Sequence, residues 1–195
     1  MKAFSSPILL ENISRMSNDP ALHGQLLKHF QNALYAISYH LEQALPKNGV
    51  VCALFPKSIL AQVLPAAAKK RNCKVISVHG TKEATLALGK AHVLDTETDI
   101  CAADFYLAEP DGLTHGGAYA DPAEASMLKE HNPTAISSIF QWTTTNPATH
   151  DFVPLSTVIT ELGRHKTEHV SEAINAFSWQ ALTPSTTYQT QPAVP

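Results

Sequence analysis

Val50-Val51-Cys52-Ala53-Leu54-Phe55 is an unbroken apolar run, and Lys74-Val75-Ile76-Ser77-Val78, a short distance on, reads as a second buried strand. Short continuous apolar runs of this kind mark strands buried on both faces. Between them, Ser58 to Arg71 carries Ile59, Leu60, Val63, Leu64 and Ala67 on one side of a helical repeat, with Pro65 as a local flaw. Strand, helix, strand in this order is the unit of a parallel sheet.

Upstream of the first run lies the clearest helix of the chain, over residues 21 to 45. Leu22, Leu26, Phe30, Ala33, Ile37, Leu41 and Leu45 recur at three- and four-residue spacing, and Leu27 and Leu34 widen the stripe. Asn18-Asp19-Pro20 supplies a cap and a first-turn proline, and Pro46 and Gly49 end the helix. A shorter helical piece is predicted at 7 to 17. Downstream, a helix is expected over Thr81 to Leu88 and strands over Ala91 to Leu94 and Phe105 to Ala108. Glu109 to Gly117 reads as turns. Pro122 to His131 reads as a helix capped by Asp121. Strands at Ala135 to Gln141 and Val158 to Thr160 and a last helix at Val170 to Phe177 follow. Thr183 to Pro195 is rich in Thr, Gln and Pro and is expected to be disordered.

The composition excludes several classes of function. The 195 residues are 44% hydrophobic, enough for one packed domain with an appendage. Lys and Arg number 14 against 17 Asp and Glu, a formal net charge of -3, so bulk electrostatic binding of nucleic acid is not expected. No run of apolar residues is long enough for a transmembrane helix, and Glu11 cuts short the apolar stretch at the start. No membrane partner is therefore expected. Cys52, Cys73 and Cys101 are odd in number and widely spaced, which points to buried thiols in a reducing, cytoplasmic setting.

Alternating strands and helices place ligands beyond the carboxyl ends of the strands. The loops at 54 to 58, 79 to 82, 109 to 117 and 141 to 151 are the places to look. Asp111 closes a buried strand, where it can act as general acid or base, or simply form the turn before Gly112. Glu109 is its neighbouring carboxylate or a solvated turn residue. Lys57 and Ser58 open a helix directly after a strand, suited to an anion such as phosphate or to an ordinary Ser cap beside a surface Lys. His79-Gly80-Thr81-Lys82 offers a hinge, a hydroxyl and a cation, or a surface turn. His115, in a flexible loop following Asp111, can carry a proton near neutral pH or lie exposed. His165 and His169, four apart, can share a helix face with Glu161 or Glu172, but the zinc-binding pattern is absent and a solvated face is the better reading. Neither a metal nor a cofactor is expected. Cys52 in a dry strand should be inert. Trp142 and Trp179 read as core or interface anchors.

In their order, these segments resemble the family that contains the alpha, beta and delta subunits of translation initiation factor 2B. Its enzyme relatives are ribose-1,5-bisphosphate isomerase and methylthioribose-1-phosphate isomerase. The helix leading through Lys47-Asn48-Gly49 into Val50 to Leu54 and Ser58-Ile59-Leu60 is similar to the family's "DG" turn, strand and "SSTVL" helix. Asp104 and Asp111 span an apolar strand as in "VDLVLVGAD". Lys129-Glu130-His131-Asn132-Pro133 resembles "KEHNIP". Asn146-Pro147 through Asp151-Phe152 and on to Glu161-Leu162-Gly163 resembles "NPAFDYTPPELI…ITEEG". The match runs over residues 25 to 175.

The resemblance implies a three-layer, Rossmann-like α/β domain of the ribose-5-phosphate isomerase/CoA transferase-like type, with a parallel sheet and a helical N-terminal segment. Residues 1–47 would form that segment, 48–180 the α/β domain and 181–195 the tail. Asp111 falls at the family's catalytic Asp. The family's catalytic Cys falls at Leu54, with Cys52 two residues early, about 7 Å along the strand. The Asn-Lys pair that follows the catalytic Asp falls on Gly117 and Ala118. The family's larger N-terminal domain is matched only by residues 1 to 47. The expectation is a protein that binds a phosphorylated small molecule, a sugar phosphate or nucleotide, through Lys57, Ser58, His79, Lys82 and Asp111, with a degenerate catalytic site. One alternative is an active aldose-phosphate isomerase in which Asp111 shuttles protons and Cys52 or His115 replaces the thiol. Another is a non-catalytic, dimeric interaction module. A homodimer is expected in any case.

Overall fold

The computed structural model describes residues 20–80, 82–88, 92–93, 103–143 and 147–176. The predicted helix at 7 to 17, Cys101, Trp179 and the tail lie outside them.

Helix α1 (Pro20–Ala44) buries Ala33, Ile37 and Leu41, and Leu45 just after it continues the stripe. This stripe rests on α2 (Ser58–Arg71) and crosses β9 (Thr157–Thr160). Helix α2 runs through Pro65 without a break and ends at Asn72 in the left-handed region (φ 55°). Ile37, Leu41 and Leu45 belong to one core that continues through the sheet to Ile174.

Among the described residues, the main sheet has seven strands. Strand β1 (Val50–Leu54) lies at its centre, buried from Val51 to Leu54, as its unbroken apolar run requires. It pairs in parallel with β2 (Lys74–Val78) on one side and β4 (Phe105–Ala108) on the other. Beyond β2 comes β3 (His92–Val93), within the predicted strand, whose ends at Ala91 and Leu94 lie outside the described residues. Beyond β4 come β7 (Thr134–Ile136) and β9, both parallel. The chain therefore builds outward from β1 through β2 and β3, crosses back, and builds the other way from β4. The crossover makes the gap between β1 and β4 the topological switch point. The last strand, β10 (Gly163–Lys166), returns antiparallel against β9.

Three expectations are corrected. The turn-rich segment after Glu109 is largely a hairpin, β5 (Gly112–Thr114) and β6 (Gly117–Ala120), which joins β8 (Asp151–Pro154) in a small antiparallel sheet. Gly117 is needed there, because a Cβ would lie 2.2 Å from the Val153 carbonyl oxygen. The strand expected over Ala135 to Gln141 stops at Ile136. Ser138 and Gln141 close a reciprocal capping box on a 3-10 turn at Ile139–Gln141, which competes successfully with sheet pairing. His165 and His169 share no helix face, since His165 lies in β10 and α5 begins only at Val170 (Val170–Ala176).

Helix α4 (Pro122–His131) has the predicted start: the Asp121 side chain accepts from the Ala123 N–H at 2.9 Å, and Pro122 follows. Asp121→Ala should cost about 1 kcal/mol, lowering the melting temperature by about 2–4 °C. Thermal denaturation checks this, and an unchanged midpoint would show the cap to be dispensable. Among the described residues, no helix is long and apolar enough to cross a membrane.

Candidate functional site

Two loops leave the carboxyl ends of β1 and β2 under backbone strain. Phe55 and His79, the first residues past these strands, both have positive φ (48° and 52°), an uncommon state for bulky side chains. Their rings stack, with centroids 5.6 Å apart. Non-glycine residues in this region persist only where the surroundings enforce them, and such places cluster at functional sites. Here the Phe55 N–H donates to the Val78 carbonyl at 2.9 Å, which ties the two strand ends together.

At the switch point, the loop after β4 faces the start of α2. Glu109, expected as a neighbouring carboxylate or a solvated turn residue, is 3% exposed. Its two oxygens accept from the backbone N–H groups of Ile59 (3.0 Å) and Leu60 (2.7 Å). Lys57, at the N-cap position, makes no side-chain cap bond, so Glu109 caps α2 from across the sheet. Burial pushes the Glu109 carboxyl up to about 7, against the opposing pull of these N–H groups and of Lys57.

Asp111 follows two residues later. Its N–H donates to the Tyr119 carbonyl at 3.0 Å, and the preceding Pro110 carbonyl accepts from Gln141 Nε2 at 3.2 Å. The hairpin and the 3-10 turn thus fix the loop. Asp111 Oδ1 lies 2.9 Å from Lys57 Nζ, which also contacts Glu124 Oε2 at 3.1 Å. Asp111 Oδ2 lies 3.4 Å from His150 Nε2, and His150 Nδ1 is 2.9 Å from the Thr149 hydroxyl. Burial works against the Lys57 charge, but Asp111 and Glu124 outweigh it and hold the ammonium above its ordinary value. Burial raises Glu124 more than Lys57 lowers it.

The result is a cluster of one ammonium, three carboxylates and one imidazole where the strand order reverses. Carboxylates and an imidazole can accept protons from hydroxyl groups and pass them on. Among the described residues, no three His, Cys, Asp or Glu side chains are placed to hold a metal ion.

The predicted residues are only partly brought together. Lys57 and Asp111 meet. Ser58 opens α2, but the next two N–H groups are taken by Glu109 rather than left for an outside anion. His79 is exposed at the end of β2, and Lys82 begins α3 (Lys82–Ala87). His115 is exposed in the turn of the β5–β6 hairpin, with all of β5 between it and Asp111, so it is not a neighbour of that residue. Cys52 is fully buried in β1, and burial pushes its thiol up to about 12. A thiol buried and raised in this way is poorly placed to act as a nucleophile. Glu124 and His150 join the site without a motif that marks them in the sequence. The only hint of His150 was its place in the 141 to 151 loop.

No family model matches this chain, and neither does any curated protein. Solved structures do. Similar to it are eIF2B beta from Chaetomium thermophilum (TM-score 0.60, 16% identity, 79% of this chain and 59% of that one) and the translation initiation factor eIF-2B of Pyrococcus horikoshii OT3 (0.64, 16%, 82% and 76%). The tetrameric eIF2B-beta2-delta2 complex from C. thermophilum is similar as well (0.63, 17%, 87% and 71%). The chain has an eIF2B-like α/β fold with a helical N-terminal segment, and it spans less than two thirds of the beta subunit's length.

Proposed function

We propose that this chain binds a small phosphorylated polyol, a sugar phosphate or a nucleotide, across the carboxyl ends of β2, β1 and β4, and does so without a catalytic thiol. The observation that carries this reading is the convergence of Lys57, Asp111, Glu124 and His150 at the switch point. Such a cluster suits hydroxyl groups, which donate to the carboxylates and accept from the ammonium. His79, two strand spacings or about 10 Å away, and Lys82 at the start of α3 offer N–H donors to a phosphate. The absence of catalysis rests on Cys52, whose raised thiol lies inside the sheet, and on Leu54 at the strand end. The resemblance also argues for a homodimer working in the cytoplasm.

Titration calorimetry with ribose 5-phosphate and AMP tests the reading. Binding of one of them should weaken at least tenfold in Asp111→Asn and be unchanged in His115→Ala. Failure to bind either, or indifference to Asp111→Asn, would sink it. The contact of His150 with Asp111 favours a second reading, aldose-phosphate isomerisation, in which Asp111 moves a proton between adjacent carbons and His150 holds its orientation. Turnover of ribose phosphates by the wild type, lost in Asp111→Asn, would establish that reading instead.

A further inference from the structure

We propose that Glu109 is a resident anion that sets the charge specificity of the site: it takes the amide donors of α2, so the Lys57 end accepts hydroxyl groups and refuses a phosphate. The inference rests on the binding reading above. The N-terminus of α2 is thus not offered as a phosphate site but as one already filled from within.

The N–H groups of Ile59 and Leu60 point at consecutive positions in the first turn, the geometry that receives phosphates elsewhere. Both Glu109 oxygens sit on them, at 3.0 and 2.7 Å, with the residue buried in the core. A phosphate oxygen could reach these donors only by expelling a carboxylate that has no solvent to move into. Nor is the nearby cation available, since Lys57 is shared between Asp111 and Glu124. Counting Glu109, three carboxylates face one ammonium here, and Asp121 adds to the negative field at Glu124. A doubly charged phosphate would meet net repulsion. Hydroxyl groups would meet acceptors. The ligand class narrows accordingly to monophosphates, with the phosphate on the β2 side and a polyol on the β4 side.

The test is the affinity ratio of ribose 5-phosphate to ribose 1,5-bisphosphate, measured by calorimetry at pH 8, where Glu109 is ionised. The wild type should prefer the monophosphate at least tenfold. Glu109→Gln, which keeps the shape and removes the charge, should bring the two within about threefold (a tenfold change being 1.4 kcal/mol). Glu109→Gly, which frees the donors outright, should favour the bisphosphate, and it guards against a glutamine variant that fails to fold. Equal wild-type affinities, or a ratio unmoved in whichever variant folds, would overturn this inference and leave the binding reading intact. Binding of neither ester by the wild type would overturn this inference, and binding of neither ester nor AMP would overturn the binding reading with it.

Discussion

Lys57→Met is expected to destabilise the protein by about 3–5 kcal/mol, the cost of leaving buried carboxylates without their cation. The Lys57 side chain is 14% exposed, and its ammonium contacts Asp111 and Glu124 at 2.9 and 3.1 Å. Methionine preserves the stem but leaves the two largely buried carboxylates facing each other without their cation. Adding Asp111→Asn and Glu124→Gln removes the stranded charges, so the triple variant should recover part of the loss. Urea denaturation of the single and combined variants would measure this coupling. If Lys57→Met costs less than about 1 kcal/mol, as a surface pair would, the cluster is better solvated than the structure indicates.

Acidification from pH 8 to pH 5.5 should raise stability by about 2 kcal/mol through Glu109 alone. The sign follows from its proton affinity. The carboxyl titrates near 7 when folded, against 4.5 as its ordinary value. Between these values the folded chain holds a proton that the unfolded chain has released, so stability falls as pH rises. Glu124 and Glu161, both raised chiefly by burial, act in the same direction. His40, lowered chiefly by burial, acts in the opposite one, because the unfolded chain protonates first below its ordinary 6.5. The melting temperature should therefore peak in mildly acidic buffer, about 4–8 °C above its value at pH 8. Glu109→Gln should flatten the slope between pH 6 and 8. A midpoint that climbs with pH across this window, or an equal slope in the variant, would contradict the assignment.

Much of the main sheet was legible because parallel strands at its centre are buried on both faces and show it in every residue. Val51 to Leu54 needs no neighbour to be recognised, and neither does the stripe through Ile37 and Leu41. The peripheral strands give no such signal. Gly163-Arg164-His165-Lys166 has no apolar residue and is a strand only because β9 offers it a backbone partner. In β8, Val153 is the one buried residue. The site divides in the same way. Lys57 and Asp111 are each adjacent to a readable strand end. Glu124 reads as an acidic residue favourable in the first turn of any helix, and His150 as one of ten histidines. Glu109-Pro110-Asp111-Gly112 has the composition of an exposed turn, and nothing local reveals that its first residue caps a helix forty-nine positions upstream.

Strand β10 has a bearing on how molecules of this protein can meet. Among the described residues it is the outermost strand on its side of the sheet, and an edge of this kind is an invitation to any extended segment seeking hydrogen bonds. Arg164 and Lys166 are both exposed on it, and the strand is only four residues long. A second copy approaching edge to edge would bring cation against cation over a short, poorly rewarded ladder. Extension of the sheet past β10 is thereby discouraged.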